Sequence, residues 1–181
     1  MAIVMYTYDI TTMGSQHENF YFQLNEIIRR RNVNLFSFSF QFKKKKKQPQ
    51  AEEMEAIKGY LYYALNALRK LPNFTGVVFR GNNKPELVKK EYIPGREVFW
   101  SGFTSTTVDV NVAKQFAGSS GVVFRIRINS GKVIQAFSVV GEENEVILPP
   151  NAGLVVSGDV HIEADGVQYL DMVEKAGKFR W

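Results

Sequence analysis

A single proline, Pro72, divides this chain into two parts with different hydrophobic patterns. Before it, over residues 51–71, apolar residues recur at steps of three and four, the spacing of one face of an α-helix. After it, short β-branched or aromatic segments alternate with Gly, Pro, Asn and Ser, as in strands separated by turns. A helical part followed by a run of strands predicts an α+β fold and not an alternating βαβ fold.

The individual segments predict the elements in more detail. A mixed but mainly helical spacing covers 15–31, and Gln48-Pro49-Gln50 is typical of a break before the stronger helix. Strands are predicted at 76–80, 97–103, 122–128, 133–137 and Glu145–Leu148, with two or three more over 153–172. A short helix is predicted at Val110–Ala117, with Asp109 as its N-cap. With 181 residues, we expect one domain over 1–181, helical to about residue 72 and β-rich over about 73–175.

Missing residue types exclude several kinds of site. The chain has no Cys, which excludes disulfides, zinc–thiolate sites and Cys nucleophiles, and it has only two His, His17 and His161. Two isolated imidazoles do not form a multi-His metal site, and neither belongs to a recognisable Ser-His-Asp arrangement. Neither G-x-G-x-x-G nor G-x-x-x-x-G-K-[ST] occurs, so these phosphate-binding loops are excluded too. We therefore expect no metal site.

The net charge of +5 comes from one region of the chain. Residues 29–31 and 43–47 supply eight of the 23 basic residues, whereas the rest carries 15 basic and 18 acidic residues. Such a lysine block is typical of a solvated loop or targeting tract, while a membrane-surface contact, a nucleic-acid contact and a nuclear signal stay open. No apolar run is long enough to span a membrane and no secretory signal is visible. We expect a cytoplasmic protein, with a secreted effector as the alternative.

Three segments carry polar residues that suit a ligand. Arg80 ends an apolar strand before Gly81, so its guanidinium can face a phosphate where the backbone is closely approached. Residues 98–107 end in hydroxyls that can hold a ligand or orient a carboxylate. If Glu145 opens a strand, Glu143 and Glu145 point to the same face, and two such carboxylates repel each other unless a cation or ligand lies between them. Each segment alone is more often an ordinary strand end, helix cap or acidic loop tip.

Taken together, the order of these segments resembles the R-S-E class of ADP-ribosyltransferases, which includes arginine-specific vertebrate ecto-enzymes and bacterial toxins. The resemblance rests on Arg80, on Ser105 within Phe-Thr-Ser-Thr-Thr, and on Glu143-Asn144-Glu145 before Val-Ile-Leu-Pro-Pro. It extends to residues 68–80, to Ala-Lys-Gln-Phe-Ala at 113–117 and to Phe137-Ser138, over about residues 52–172, with a weaker likeness at 21–30. The family implies an α+β fold in which N-terminal helices pack on a two-sheet, mainly antiparallel β core.

The resemblance also implies roles for individual residues. Arg80 would bind the phosphates of NAD and help to hold the nicotinamide ribose, and the backbone of Gly81 would contact the nicotinamide carboxamide. Ser105 would orient Glu145, the catalytic carboxylate, which would hydrogen-bond the ribose 2′-hydroxyl. The other NAD-binding candidates are Thr107, at the last place of a Ser-x-Ser motif, and Phe116, packed against the nicotinamide.

Glu143 indicates the acceptor. In this family a Glu at the first place of the pair goes with arginine, so the resemblance implies a mono-ADP-ribosyltransferase that uses NAD as co-substrate and releases nicotinamide. A guanidinium is always charged in solution and needs a carboxylate to dock it and take a proton, which suits Glu143. Three features depart from the family pattern: Thr107 in place of the second Ser, the absence of the ecto-enzymes' disulfides, and the block at 43–47.

Other functions stay open at this point. An NAD glycohydrolase shares the donor site and uses water as the acceptor. A non-catalytic module that binds NAD or a partner protein would be free to lose Arg80, Ser105 or Glu145, and all three are present. A nucleic-acid adaptor is supported only by the basic block, so we expect no nucleic acid. The expected partner is a protein with an accessible arginine, and we expect a monomer.

Overall fold

The computed structural model of the 181-residue chain describes residues 23–30, 48–137 and 144–175. The helices are α1 at 23–30, α2 at Gln48–Lys70, α3 at Pro85–Glu91 and α4 at Val110–Ala117. The strands are β1 Asn73–Asn82, β2 Glu97–Trp100, β3 Thr104–Thr107, β4 Val122–Val133, β5 Glu145–Leu148, β6 Ala152–Val156, β7 His161–Ile162 and β8 Gln168–Glu174. The predicted α+β class is confirmed. Within the described ranges, no helix has the length and apolar character needed to cross a membrane.

The helices match the sequence prediction except at two points. Helix α2 is the predicted helix, but it begins at Gln48, so the predicted break at 48–50 is wrong. Pro49 lies in the first turn, where a backbone N–H has no intrahelical partner to lose. Asp109 caps α4 as predicted, since its carboxylate accepts the Asn111 N–H at 2.8 Å. Helix α3 is absent from the sequence prediction because seven residues are too few for an apolar period to show.

The eight strands form one hydrogen-bonded sheet in the order β1-β3-β5-β4-β8-β6-β2, with β7 paired to β8. One edge of β4 pairs with β1, and its other edge pairs first with β8, in parallel, and then with β5. Because β3 joins β1 to β5, the strands β1, β3, β5 and β4 close into a ring. The resemblance implied two sheets, and the length of β4 is what joins them into one.

Two predicted strand boundaries are wrong. The predicted strand at 97–103 ends at Trp100, and Thr104–Thr107 is a separate strand that pairs with β5 instead of β6. The predicted strands at 122–128 and 133–137 are one strand, β4, followed by a 3₁₀ turn at Gln135–Phe137. The Glu174 carboxylate accepts the backbone N–H groups of Asn129 and Ser130 at 2.5 and 3.0 Å, so β4 continues through Asn-Ser-Gly without unpaired amides there.

Three apolar clusters connect these elements. The largest lies inside the curved sheet and includes Val78, Phe124, Leu148 and Leu170. The second joins α1 and α2 to the sheet through Phe103, Ile134 and Ile147, and the third packs α4 on Val123 and Tyr169. The N-terminal helices therefore pack on β5 and on the residue before β3, whereas α4 packs on β4 and β8.

Candidate active site

The candidate site begins where β1 and β3 stop pairing. These antiparallel strands share one residue pair, Phe79 opposite Thr107. Beyond that pair, the Arg80 side chain connects the two strands in place of main-chain pairing. Its Nη1 donates to the Ser105 carbonyl oxygen at 2.6 Å. Arg80 and Ser105 are therefore brought together at the point of divergence, with both residues half-buried.

Glu145 lies on the next strand of the same row. It opens β5 opposite Thr107, which is itself opposite Phe79, so one row of residues crosses β1, β3 and β5. Its backbone is fixed on both sides, because its carbonyl accepts the Ile134 N–H at 3.1 Å and the preceding Asn144 carbonyl accepts the Val108 N–H at 3.2 Å. Ser105 is two residues from Thr107 and so shares a sheet face with Glu145. The structure thus places the three residues of the predicted R-S-E set on the adjacent strands β1, β3 and β5, with Arg80 next to the β1 residue of this row.

Gly81 and Phe116 are neighbours through the close approach of α4 to β1. A Cβ at Gly81 would lie 2.1 Å from the Ala113 carbonyl oxygen, 2.5 Å from the Ala117 nitrogen and 2.8 Å from the Phe116 Cβ. Only a residue without a side chain fits there, which places the exposed ring of Phe116 beside the end of β1. Phe116 therefore lies beside Gly81, the residue that follows Arg80 on β1.

Thr107 has a structural contact of its own. It is buried, and its Oγ1 accepts the Asp109 N–H at 3.0 Å, which fixes the turn from β3 into α4. Thr106, the next residue back, donates its hydroxyl to the Val146 carbonyl at 2.5 Å. The hydroxyl-rich segment therefore ties β3 to both α4 and β5, whereas the sequence prediction gave Thr107 only an NAD-binding role.

Arg80 and Arg125 lie on paired strands but have different surroundings. Arg125 on β4 donates to both carboxylate oxygens of Asp171, at 2.5 and 3.0 Å, and to Glu163 at 2.7 Å. These two carboxylates raise the pKa of the Arg125 guanidinium above its ordinary value. Arg80, by contrast, forms no ion pair with any carboxylate among the described residues; its contacts there are a carbonyl and the Trp100 ring. Its charge is therefore available to an anionic ligand.

Two further residues, Trp100 beside Arg80 and Tyr92 beside Trp100, are absent from the predicted site. The Arg80 guanidinium carbon lies 6.0 Å from the centre of the Trp100 ring, and Trp100 Nε1 donates to the Tyr92 hydroxyl oxygen at 3.0 Å. Trp100 is 20 residues from Arg80 in sequence and reaches it only through the pairing of β2 and β6 and the curvature of the sheet. Nothing in the sequence pattern indicates this contact.

A third unpredicted feature is Asn25 on α1, which is fully buried. Neither polar atom of its amide has a hydrogen-bond partner among the described residues, and its Oδ1 lies 2.4 Å from where a Cβ of Gly102 would be. Gly102 belongs to the loop that leads into β3 and Ser105. A buried amide without partners costs stability, so α1 and this loop meet at a locally unfavourable contact next to the candidate site.

Some predicted residues lie outside the described part of the chain. They include Glu143, Ser138 and the basic residues 43–47 and 31. The predicted arginine-docking role of Glu143 therefore stays a prediction. Within residues 23–30, 48–137 and 144–175, no group of three or more His, Asp or Glu is arranged to hold a metal.

The sequence also matches a known protein family. The sequence model of the family described as "ART: NAD:arginine ADP-ribosyltransferase" matches residues 1–174. This protein belongs to the NAD:arginine ADP-ribosyltransferase family.

Similar proteins come from several kinds of organism. The chain is 32% identical over 109 residues to the putative NAD(+)–arginine ADP-ribosyltransferase Mav of Mycobacterium avium, covering 60% of this chain and 13% of that protein. It is 31% identical over 176 residues to the rat ecto-ADP-ribosyltransferase 5, covering 94% of this chain and 49% of that protein. The chain thus spans half or less of the length of these two relatives.

The fold of this ADP-ribosyltransferase family member also matches a solved structure. The Vis toxin, an ADP-ribosyltransferase from Vibrio splendidus, superposes with a TM-score of 0.64 at 22% sequence identity. The match covers 96% of this chain and 73% of the Vis chain. At this identity the superposition shows a shared fold, and it confirms the fold class that the sequence resemblance implied.

Proposed function

We propose that this protein transfers ADP-ribose from NAD to the guanidinium group of arginine side chains in proteins and releases nicotinamide. The observation that carries the proposal is the placement of Arg80, Ser105 and Glu145 on the adjacent strands β1, β3 and β5, with Arg80 hydrogen-bonded to the Ser105 carbonyl. Family membership supports NAD as the donor and arginine as the acceptor. The Serratia proteamaculans relative Tre1 is named an NAD(+)–protein-arginine ADP-ribosyltransferase, which also supports this activity.

The reaction breaks one bond and forms another at the anomeric carbon of the nicotinamide ribose. The C–N bond to nicotinamide breaks with its electron pair going to the ring nitrogen, so nicotinamide leaves as a neutral molecule. An arginine nitrogen then bonds to the same carbon and loses a proton to a carboxylate. Because the leaving group is neutral, the reaction needs no general acid, which fits a site whose predicted members include neither His nor Cys.

Glu145 is proposed as the carboxylate that stabilises the positive charge on the ribose as the bond breaks. A fixed negative charge beside a developing cation is most effective where its geometry is set before the reaction. The backbone contacts of Glu145 to Ile134 and, through Asn144, to Val108 provide such a fixed position. Ser105 shares the sheet face of Glu145 and is proposed to orient it.

Arg80 is proposed to bind the pyrophosphate of NAD. Its guanidinium carries a charge that no described carboxylate neutralises, and a guanidinium presents paired donors that suit phosphate oxygens. The proposed roles of Gly81 and Phe116 follow from their position, since the backbone of Gly81 and the exposed ring of Phe116 border the end of β1. They are proposed to contact the nicotinamide, and Thr107 is proposed to hold β3 against α4 beside them.

The direct test is NAD turnover with and without agmatine, a small guanidinium compound. The Vis toxin has been solved in complex with agmatine, which makes agmatine a suitable probe for this fold. We expect nicotinamide release together with ADP-ribosyl-agmatine, detected by mass spectrometry. In Glu145→Gln, turnover should fall by a factor of about 10²–10³, because the charge opposite the developing cation is lost. Binding of NAD, measured by calorimetry, should stay close to that of the wild type.

The outcomes separate the proposal from its alternatives. Nicotinamide without the agmatine adduct would indicate an NAD glycohydrolase or another acceptor. NAD binding without any turnover would indicate a binding module. Near-normal turnover in Glu145→Gln would remove Glu145 from the catalytic role.

A further inference from the structure

The half-buried Arg80 guanidinium has an aromatic ring beside it and no ion pair with a carboxylate among the described residues. Arg80 lies on β1 opposite Phe124 of β4, so the two side chains leave the same face of the sheet. Its guanidinium carbon is 6.0 Å from the centre of the Trp100 ring, within the usual range of a cation–π contact. Its hydrogen bond to the Ser105 carbonyl engages one of the five N–H donors.

Three rings form one packed unit, and one of them, Trp100, lies beside this guanidinium. The ring centres of Tyr92 and Phe124 are 5.0 Å apart, and those of Trp100 and Phe124 are 5.6 Å apart. Trp100 Nε1 also donates to the Tyr92 hydroxyl oxygen at 3.0 Å, which fixes the two outer rings relative to each other. We call Tyr92, Trp100 and Phe124 the aromatic platform.

Backbone hydrogen bonds also hold two members of the aromatic platform, Trp100 and Tyr92. Trp100 is the last residue of β2, paired with Ala152, and its carbonyl accepts the Asn151 N–H at 2.8 Å. Tyr92 follows α3, and its N–H donates to the Val88 carbonyl at 2.9 Å. Burial raises the pKa of the Tyr92 phenol, so it stays neutral and offers Trp100 an uncharged acceptor. The guanidinium thus rests beside a surface that is already rigid.

An aromatic neighbour has a consequence that a carboxylate does not. A carboxylate would hold Arg80 through its formal charge and would compete with the phosphates of a ligand for the same donors. A ring face attracts the cation through its quadrupole, orients it, and leaves the formal charge uncompensated. Arg125, with two carboxylates and the Tyr169 ring at 5.4 Å, shows the opposite arrangement on the paired strand.

We propose that Trp100 and Tyr92 are positioning residues for Arg80, which hold its guanidinium against the aromatic platform so that it meets the NAD pyrophosphate already oriented. The proposal rests on the proposed role of Arg80 in NAD binding. It assigns a function to two residues that lie outside the R-S-E set, and the measurable consequence is on NAD affinity, not on the bond-breaking step.

The experiment uses Trp100→Leu and a matched control, Phe74→Leu. Phe74 packs on the same core cluster and lies on β1 with Arg80, but at the other end of the strand. The first readout needs no NAD: the ¹⁵N order parameter of the Arg80 Nε–H bond, assigned by its loss in Arg80→Lys. The second readout is the separate measurement of KM for NAD and kcat. Trp100→Leu should lower the order parameter and raise KM roughly fivefold with kcat nearly unchanged, because the orienting contact is lost before binding.

Two milder variants keep the test valid if Trp100→Leu folds poorly. Trp100→Phe retains a ring but loses the N–H, and Tyr92→Phe removes the acceptor, so each should give a smaller change of the same sign. Phe74→Leu should lower the melting temperature without altering the order parameter or KM.

An unchanged order parameter in the Trp100 and Tyr92 variants overturns the proposal, whether or not the protein binds NAD. A lowered order parameter with unchanged KM overturns the link to NAD, and a wild type that does not bind NAD overturns the proposed function instead.

Discussion

At the scale of single residues, neighbouring positions in the sequence have different tasks in the fold. Asn144 and Glu145 are adjacent, and both use their backbone carbonyls to fix the start of β5. On β3, Ser105 contributes its carbonyl to Arg80, whereas Thr106 and Thr107 use their hydroxyls to join β5 and α4. The sequence identifies these residues by type, and the structure shows which atom of each makes the contact.

One prediction at the scale of single residues concerns Glu143 and transfer to the arginine acceptor. In Glu143→Gln the docking carboxylate is lost while Glu145 remains, so transfer to agmatine should be lost and NAD hydrolysis spared. Both products are measured in one assay, as ADP-ribosyl-agmatine and as nicotinamide. Equal loss of both activities would contradict the division of tasks between the two carboxylates. Glu142→Gln, one residue before Glu143, is the matched control and should retain both activities.

At the scale of elements, the position of α4 decides whether Gly81 and Phe116 border the site. Two contacts hold this helix. One is its close approach to Gly81, and the other is a surface group in which Lys114 of α4 bonds Asp165 at 2.8 Å, while Tyr169 donates to the same carboxylate at 2.9 Å. The first contact excludes any side chain at residue 81, and the second ties the helix to the turn before β8.

Gly81→Ala tests the first contact. Its Cβ would meet backbone atoms of Ala113 and Ala117, which cannot rotate away, so α4 must shift. We expect a loss of about 1–3 kcal/mol in the free energy of unfolding, measured with urea, and a higher KM for NAD. Gly59→Ala in α2 is the control: apart from its chain neighbours and the backbone of its own helix, no described atom lies within 4 Å of the added Cβ, and it should leave stability equal or slightly higher. An unchanged stability in Gly81→Ala would show that α4 yields easily.

Asp165→Asn tests the second contact through pH. The Lys114 hydrogen bond, aided by the Val167 N–H, lowers the pKa of Asp165 from its usual 3.8 to about 2. The folded state therefore binds its proton less readily than the unfolded state does, and the stabilisation is present above about pH 4 and lost as the pH falls towards 2. The variant should show a shallower loss of unfolding free energy over this window.

Asp159→Asn is the control for that experiment, since Asp159 is exposed and forms no ion pair among the described residues. It removes the same charge, and its acid dependence should follow that of the wild type. If both variants flatten the curve equally, net charge and not the Lys114 contact explains the effect.

At the scale of the whole molecule, the N-terminal helices are attached to the sheet by apolar packing. Phe103 is 1% exposed and lies in the cluster that joins α1 and α2 to β5. It also sits two residues before Ser105, so the same packing that holds the helices holds the start of β3. On β4, Lys132 is buried and donates to the Leu71 carbonyl, just beyond the end of α2.

Phe103→Ala should be among the more damaging core substitutions. Removing a fully buried ring leaves a cavity between the helices and the sheet, with an expected loss of about 3–5 kcal/mol in the free energy of unfolding. The measurement is urea unfolding followed by circular dichroism. Val77→Ala, at a position 38% exposed on the sheet, is the comparison and should cost far less. A loss below about 1 kcal/mol for Phe103→Ala would mean that the helices are held by other contacts.

The sequence by itself determined the α+β class, helix α2, the Asp109 cap and the order of Arg80, Ser105 and Glu145 along the chain. These follow from local propensity, from apolar period and from a family motif, all of which are written in contiguous residues. The prediction of elements from the sequence failed at Pro49, at α3 and at the ends of β2 and β4. There, short segments or a distant carboxylate such as Glu174 override the local pattern.

Only the tertiary structure decided how the site is arranged. The divergence of β1 from β3, the space taken by α4 at Gly81 and the aromatic platform beside Arg80 all join residues at least 12 positions apart. Such contacts depend on strand order and on the curvature that closes β1, β3, β5 and β4 into a ring. The order of Arg80, Trp100 and Ser105 along the chain does not indicate that curvature. The curvature arises from the pairing of whole strands and not from any single strand.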